Sequence, residues 1–131
     1  MCAVHSAPCF IPPKRDVKIR FLANFRELNK HVIREPFPLP KINDMTESLE
    51  NFTFSSTLDL SMGHYHLPLY KQASELYSIS LLFGTYKNDR LPQGVMHVVD
   101  CFQRKMSHLF SDLHFVKVCL DDMLIHSDNE D

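Results

Sequence analysis

At 131 residues, with an ordinary apolar share and a net charge of -2, the chain is long enough for one real core and too short for several domains. No apolar run approaches the roughly 20 residues needed to span a bilayer, so no membrane partner is expected. Met1 to Phe10 lacks a charged start followed by a long apolar stretch, which argues against a secretory leader and for an intracellular protein with reduced thiols. The four cysteines are scattered, and Cys2, His5 and Cys9 lack a fourth ligand at the spacing of a zinc site. Charge is unevenly distributed: residues 1–41 hold eight Lys/Arg against three Asp/Glu, while residues 42–131 hold six against thirteen. A basic front and an acidic remainder suit a protein that meets phosphates with one part and cations with the other, although an ordinary dipolar surface reads the same way.

In chain order, residues 1–13 are expected to be irregular because Pro8, Pro12 and Pro13 block regular hydrogen bonding. A turn at residues 14–17 leads into a half-buried strand over 18–25, where Ile19, Phe21, Ala23 and Phe25 alternate with polar neighbours. That hairpin would project Lys14 or Arg15 together with Arg20. A short polar turn or helix follows at 26–30, and three prolines force an extended run over 34–40. Residues 41–50 carry Ile42, Met45 and Leu49 at helical spacing. A strand over 52–60 delivers Asp59, Ser61-Met62-Gly63 turns the chain, and 64–71 is expected to return as a strand interrupted by Pro68. Residues 77–83 and 85–91 form a hairpin pivoting near Gly84, and Pro92-Gln93-Gly94 lets backbone approach a ligand closely. A helix over 98–110 is expected to bury Val98, Cys101, Phe102, Met106, Leu109 and Phe110.

The last stretch organises the rest. Phe115-Val116-Lys117-Val118 and Met123-Leu124-Ile125-His126-Ser127 are strand-forming flanks around Cys119-Leu120-Asp121-Asp122, a hairpin with the Asp pair at its tip. Aspartate is also an ordinary turn residue, and an unrelated α+β binding module would satisfy the pattern. Together with Asp59 at the end of another strand, however, Asp121 and Asp122 form a set of hard oxygen ligands suited to two cations such as Mg²⁺.

Several runs in one order are similar to a known family. Lys18-Ile19-Arg20-Phe21, Phe25-Arg26-Glu27-Leu28-Asn29-Lys30, Phe37-Pro38-Leu39-Pro40-Lys41-Ile42, Leu58-Asp59-Leu60-Ser61-Met62-Gly63, Leu91-Pro92-Gln93-Gly94, Phe102-Gln103-Arg104-Lys105-Met106 and Leu120-Asp121-Asp122 resemble the reverse transcriptases of gypsy-type LTR retrotransposons. The resemblance implies an α+β fold: polymerase fingers and palm, with an antiparallel palm sheet backed by helices, truncated before the thumb. It divides the chain into an irregular segment, 1–11, and a partial reverse transcriptase domain, 12–131. It implies that Asp59, Asp121 and Asp122 are the catalytic, metal-holding aspartates for Mg²⁺ or Mn²⁺. Lys14 (or Arg15) and Arg20 would contact nucleotide phosphates, Gln93 would line the nucleotide pocket, and His64 would stand at the steric gate.

The implied partners are an RNA or DNA template with primer, deoxynucleoside triphosphates, and the thumb and ribonuclease H segments of a parent polyprotein, expected to be missing here. The chain also departs from the family. Cys119 replaces a bulky residue before the Asp pair, His64 a Tyr or Phe, Asn24 an aspartate, and Met96-His97-Val98-Val99 a run containing Asn and Pro. Two readings follow: a fingers–palm piece of an RNA-directed DNA polymerase, and a non-catalytic remnant that at most binds metal or nucleic acid.

Overall fold

The computed structural model describes residues 6–12, 21–41 and 53–128. It falls into two compact units, Met1–Arg34 with His64–Val98, and Glu35–Gly63 with Val99–Asp131. The expected turn at 14–17, the basic positions Lys14, Arg15 and Arg20, and residues 42–50 of the expected helix lie outside the described residues.

In the first unit, strands β1 (Ala7–Phe10), β2 (Leu22–Ala23), β4 (Ser78–Leu81) and β5 (Gly84–Lys87) form a sheet of order β2-β1-β4-β5. The β1–β4 pair is parallel and the others antiparallel. The N-terminal segment is therefore not irregular throughout. Pro8 is tolerated in β1 because its carbonyl is what the structure uses, accepting from Asn24 N–H at 2.9 Å. Of the strand expected over 18–25, only Leu22–Ala23 is regular among the described residues. Helix α1 (Arg26–Asn29) occupies the stretch 26–30 expected to be a short polar turn or helix. Phe25, Tyr77, Ile79, Leu91, Val95 and Val98 are buried, with the Phe25 ring edge-on to Tyr77 at 6.0 Å. Each such side chain contributes about 1.5–3 kcal/mol relative to exposure.

Residues 64–71 are not a strand. Gly63–His66 is a 3₁₀ turn, Pro68 keeps a single bridge to Arg90, and Lys71–Leu76 is helix α2. Proline cannot donate to a ladder, while Lys-Gln-Ala-Ser-Glu-Leu is made largely of good helix formers. The later hairpin forms as expected, but Leu82 and Phe83 make its tip, since Gly84 already pairs with Leu81. The β5 strand also stops at Lys87 rather than Leu91.

In the second unit, β3 (Phe54–Asp59), β7 (Asp122–Ser127) and β6 (Val116–Cys119) make an antiparallel sheet of order β3-β7-β6. Helix α3 (Val98–Leu109) crosses from the first unit into the second, and it buries Phe102 and Met106 one turn apart. Its buried face differs from expectation. Leu109 is exposed at the helix end, Cys101 is half-buried, and the polar Asp100 and Gln103 are almost fully enclosed. Both polar groups are satisfied, which makes their burial tolerable. Asp100 Oδ1 accepts from Phe37 N–H at 3.0 Å, and Gln103 bonds the backbone of the β6–β7 turn. Arg104 lies over the Phe37 ring at 5.8 Å and pairs with Glu35 at 3.3 Å, fastening the proline-spaced run at 35–40 to the helix.

Candidate active site

The three aspartates meet at one end of the second unit's sheet. Asp59 closes β3 and Asp122 opens β7, and the two are direct register partners. Cys119 on β6 is the partner of Asp122 on its other side. Directly opposed residues share a sheet face, so Cys119, Asp122 and Asp59 form a row with neighbouring Cβ atoms about 4.5–5.5 Å apart. The hairpin tip is displaced by one residue from expectation. Leu120 and Asp121 form the turn, and Asp122 already belongs to the ladder.

Leu120 sits in the left-handed region at φ 56°, an unusual conformation for a leucine that costs on the order of 1–2 kcal/mol. Met62, in the turn after β3, is left-handed too, at φ 53°. The β6–β7 turn is held from two sides. Gln103 Oε1 accepts from Leu120 N–H at 2.7 Å, and Gln103 Nε2 donates to Val118 O at 2.9 Å. From the other side, Leu60 N–H donates to Asp121 O at 2.8 Å. Gly63 lies against the same turn, where a Cβ would fall 2.5 Å from Asp121 Oδ1 and 2.6 Å from the Phe102 ring.

Asp121 Oδ1 is buried without a hydrogen-bond partner. None of the three carboxylates has a salt-bridge partner among the described residues. Like charges directly opposed on a sheet repel, and a buried carboxylate oxygen without a donor is expensive, so the donor set fits a hard divalent cation. Among the described residues, no three His, Cys, Asp or Glu side chains are gathered closely enough to chelate an ion as they stand. Rotation of the exposed Asp59 and Asp122 side chains would therefore accompany binding.

His64 and Gln93 belong to the first unit. His64 lies in the 3₁₀ turn, its ring 4.5 Å from that of Tyr65. Gln93 is exposed in the turn before Gly94. Gly94 has φ 100°, and a Cβ there would press on Ala23 O at 3.3 Å, so this loop depends on glycine. Asn29 ties the loop down: its Nδ2 donates to Gly94 O and its Oδ1 accepts from Met96 N–H, both at 2.9 Å. Asn29 and Gln103 both lie in recognised motifs, yet neither was expected to brace a candidate loop. For Gln103 a signal existed: it falls between Phe102 and Met106 on the helix face that must be buried.

A family model described as reverse transcriptase (RNA-dependent DNA polymerase) matches residues 12–131. The Pol polyprotein of transposon 412 from Drosophila melanogaster is 30% identical over 129 residues, which is 92% of this chain and 10% of the relative. That of transposon gypsy, from the same organism, is 32% identical over 114 residues, 85% of this chain and 11% of the relative. The foamy viral protease–reverse transcriptase solved in complex with RNA/DNA hybrid superimposes with a TM-score of 0.83 at 22% identity, covering 99% of this chain and 18% of that one. The chain thus spans about a tenth of each of these two polyproteins. Its two units have the fold of a polymerase fingers–palm part, and the chain belongs to the reverse transcriptase family.

Proposed function

We propose that this chain is the fingers–palm part of an RNA-directed DNA polymerase from a retrotransposon polyprotein, with Asp59, Asp121 and Asp122 as the carboxylates that hold Mg²⁺ or Mn²⁺. The observation that carries the reading is the pairing of Asp59 with Asp122 beside an Asp121 oxygen that is buried and unpartnered. When bound, such ions would lower the pKa of a primer 3′-hydroxyl and neutralise the leaving pyrophosphate. Asp59 and Asp122, exposed and on neighbouring strands, are free to turn toward that position. Asp121, whose main-chain carbonyl is held by Leu60 N–H, would contribute its buried carboxylate oxygen. Lys14 or Arg15, with Arg20, would grip the phosphates of a deoxynucleoside triphosphate. Gln93 would line the nucleotide pocket, and His64 would stand against the sugar. Template and primer would be gripped through backbone and groove shape, with sequence read by base pairing alone.

The test is a chimaera in which residues 12–131 replace the matching segment of a full-length transposon reverse transcriptase. With Mg²⁺, it should extend a DNA primer on an RNA template, and the Asp121→Asn/Asp122→Asn version should not. A folded chimaera without extension would favour the non-catalytic remnant. Extension that survives the double substitution would remove the aspartates from the chemistry.

A further inference from the structure

We propose that Gln103 is a positioning residue for the carboxylate site: its side-chain amide holds the left-handed turn at Leu120 and so aims Asp121 and Asp122. The inference rests on the reading of Asp59, Asp121 and Asp122 as a cation site.

The geometry asks for an amide. Leu120 leaves the ladder at φ 56°, and its N–H finds an acceptor in Gln103 Oε1 at 2.7 Å. Two residues earlier, Val118 O accepts a hydrogen bond from Gln103 Nε2 at 2.9 Å. One planar group therefore accepts on one side of Cys119 and donates on the other, which a carboxamide does from a single plane. The remaining N–H of the amide donates to Ser107 Oγ at 3.2 Å, within the helix and away from the turn. The side chain is 1% exposed, so water does not substitute for any of these bonds.

The next residue along the chain is Asp121, whose carbonyl is already fixed by Leu60 N–H. Movement at Leu120 is thus passed to Asp121 and Asp122, while Asp59 stays on β3. Outer groups that orient metal ligands typically change affinity by about 10–100-fold when removed.

The experiment measures Mn²⁺ affinity of the whole 131-residue chain by calorimetry, well below its melting temperature. Wild type is compared with Asp121→Asn, Gln103→Met, Ser107→Ala and Met106→Ala. Gln103→Met keeps the shape and removes all three bonds, and it should bind Mn²⁺ about tenfold more weakly. Ser107→Ala, which leaves both turn bonds, and Met106→Ala, which loosens the same helix without touching the turn, should bind as wild type does. Amide hydrogen exchange supplies a readout that needs no variant: the Leu120 N–H of the metal-free wild type should be protected like the strand amides.

Wild-type affinity in Gln103→Met overturns the proposal, as does equal weakening in Met106→Ala, which would trace the loss to stability. Free exchange at Leu120 in the wild type overturns it even if Gln103→Met does not fold. These three results leave the carboxylate site standing. Equal affinity in wild type and Asp121→Asn removes the site itself, and the aiming role falls with it.

Discussion

Gly63 and Asp121 share a space with no room for one more carbon: a Cβ at position 63 would lie 2.5 Å from Asp121 Oδ1. The Phe102 ring closes the other side at 2.6 Å and is itself buried. Gly63→Ala must therefore displace the carboxylate or a core ring. The expected cost is about 1–3 kcal/mol, as for other additions to a filled core. Urea unfolding would measure it. Because the carboxylate is the easier group to move, the stabilisation conferred by added Mg²⁺ should shrink as well. Unchanged stability would show that the turn has slack.

Asn29→Ala removes both bonds that tie down the loop after Gln93, to Gly94 O and Met96 N–H. Both lie near solvent, where water replaces part of what is lost, so the expected cost is about 1 kcal/mol. The sharper readout is amide exchange at Met96, which should accelerate strongly while Ile79, in β4, is little affected. If Met96 remained protected, some other contact would be holding the loop.

How much of this was legible beforehand depends on the kind of interaction. Asp59 and the Asp121-Asp122 pair could be placed on neighbouring strands because β-branched, apolar flanks fix strand type locally. The register that sets Asp59 opposite Asp122, and the tip at Leu120-Asp121, could not, since leucine gives no hint of a left-handed residue. Residues 64–71 misled because His-Tyr-His-Leu-Pro-Leu-Tyr mimics alternation. What decides their path is the buried Gly63 before them and the helix-forming run after them. Leu109 fits the helical period but falls where the helix runs out of partners and remains exposed. Asn29 and Gln103 act on backbone groups far along the chain, which no local pattern encodes.

The thiols should contribute to a loss of stability at alkaline pH. Burial pushes the Cys101 thiol up, with Asp100 adding to the effect and Arg104 opposing it, and burial raises Cys9 as well. A group whose folded pKa is raised contributes stability that is complete below its unfolded pKa and is lost as pH rises through the folded one. Melting temperature should therefore fall as pH climbs beyond the ordinary thiol range, and Cys101→Ala should flatten that fall. At the acid end, Lys30 holds the Glu27 carboxyl below its usual range and Lys87 does the same for Glu75. Their contribution is lost as pH falls through those lowered values, and because both pairs are exposed this limb should be shallow. An identical alkaline limb in Cys101→Ala would rule out its thiol as the cause.

The proposed place of His64 against the sugar makes a prediction about sugar discrimination. An imidazole is smaller than a phenol and changes charge near neutral pH. In the chimaera, His64 should reject ribonucleotides less well than His64→Tyr. Tyr65, whose ring lies 4.5 Å from that of His64, is the competing candidate for the aromatic wall. Equal ribonucleotide incorporation by the two proteins would transfer the role to Tyr65.

The 131-residue polypeptide by itself should not sustain processive DNA synthesis. Phosphoryl transfer needs a primer end, a phosphorus and the metal ligands in line, and a misplacement of about 1 Å can cost roughly 10²-fold. Among the described residues the carboxylates are neighbours but not gathered into a closed set, so part of the binding free energy of any ions bound there would have to go into arranging them. Residues 42–131, with six basic side chains against thirteen acidic ones, repel a polyanion unless something outside them clamps it. Apolar side chains are also left in solvent in both units: Leu76, Leu82 and Phe83 in one, Leu58, Leu109 and Phe115 in the other. At micromolar concentration these should favour self-association, visible as early elution in size-exclusion chromatography. The decisive assay is primer extension on an RNA template with Mg²⁺, alongside the Asp121→Asn/Asp122→Asn control. Addition of many nucleotides by the wild type and none by the control would make these 131 residues a polymerase in their own right, and would mean that two units this small can hold a duplex unaided.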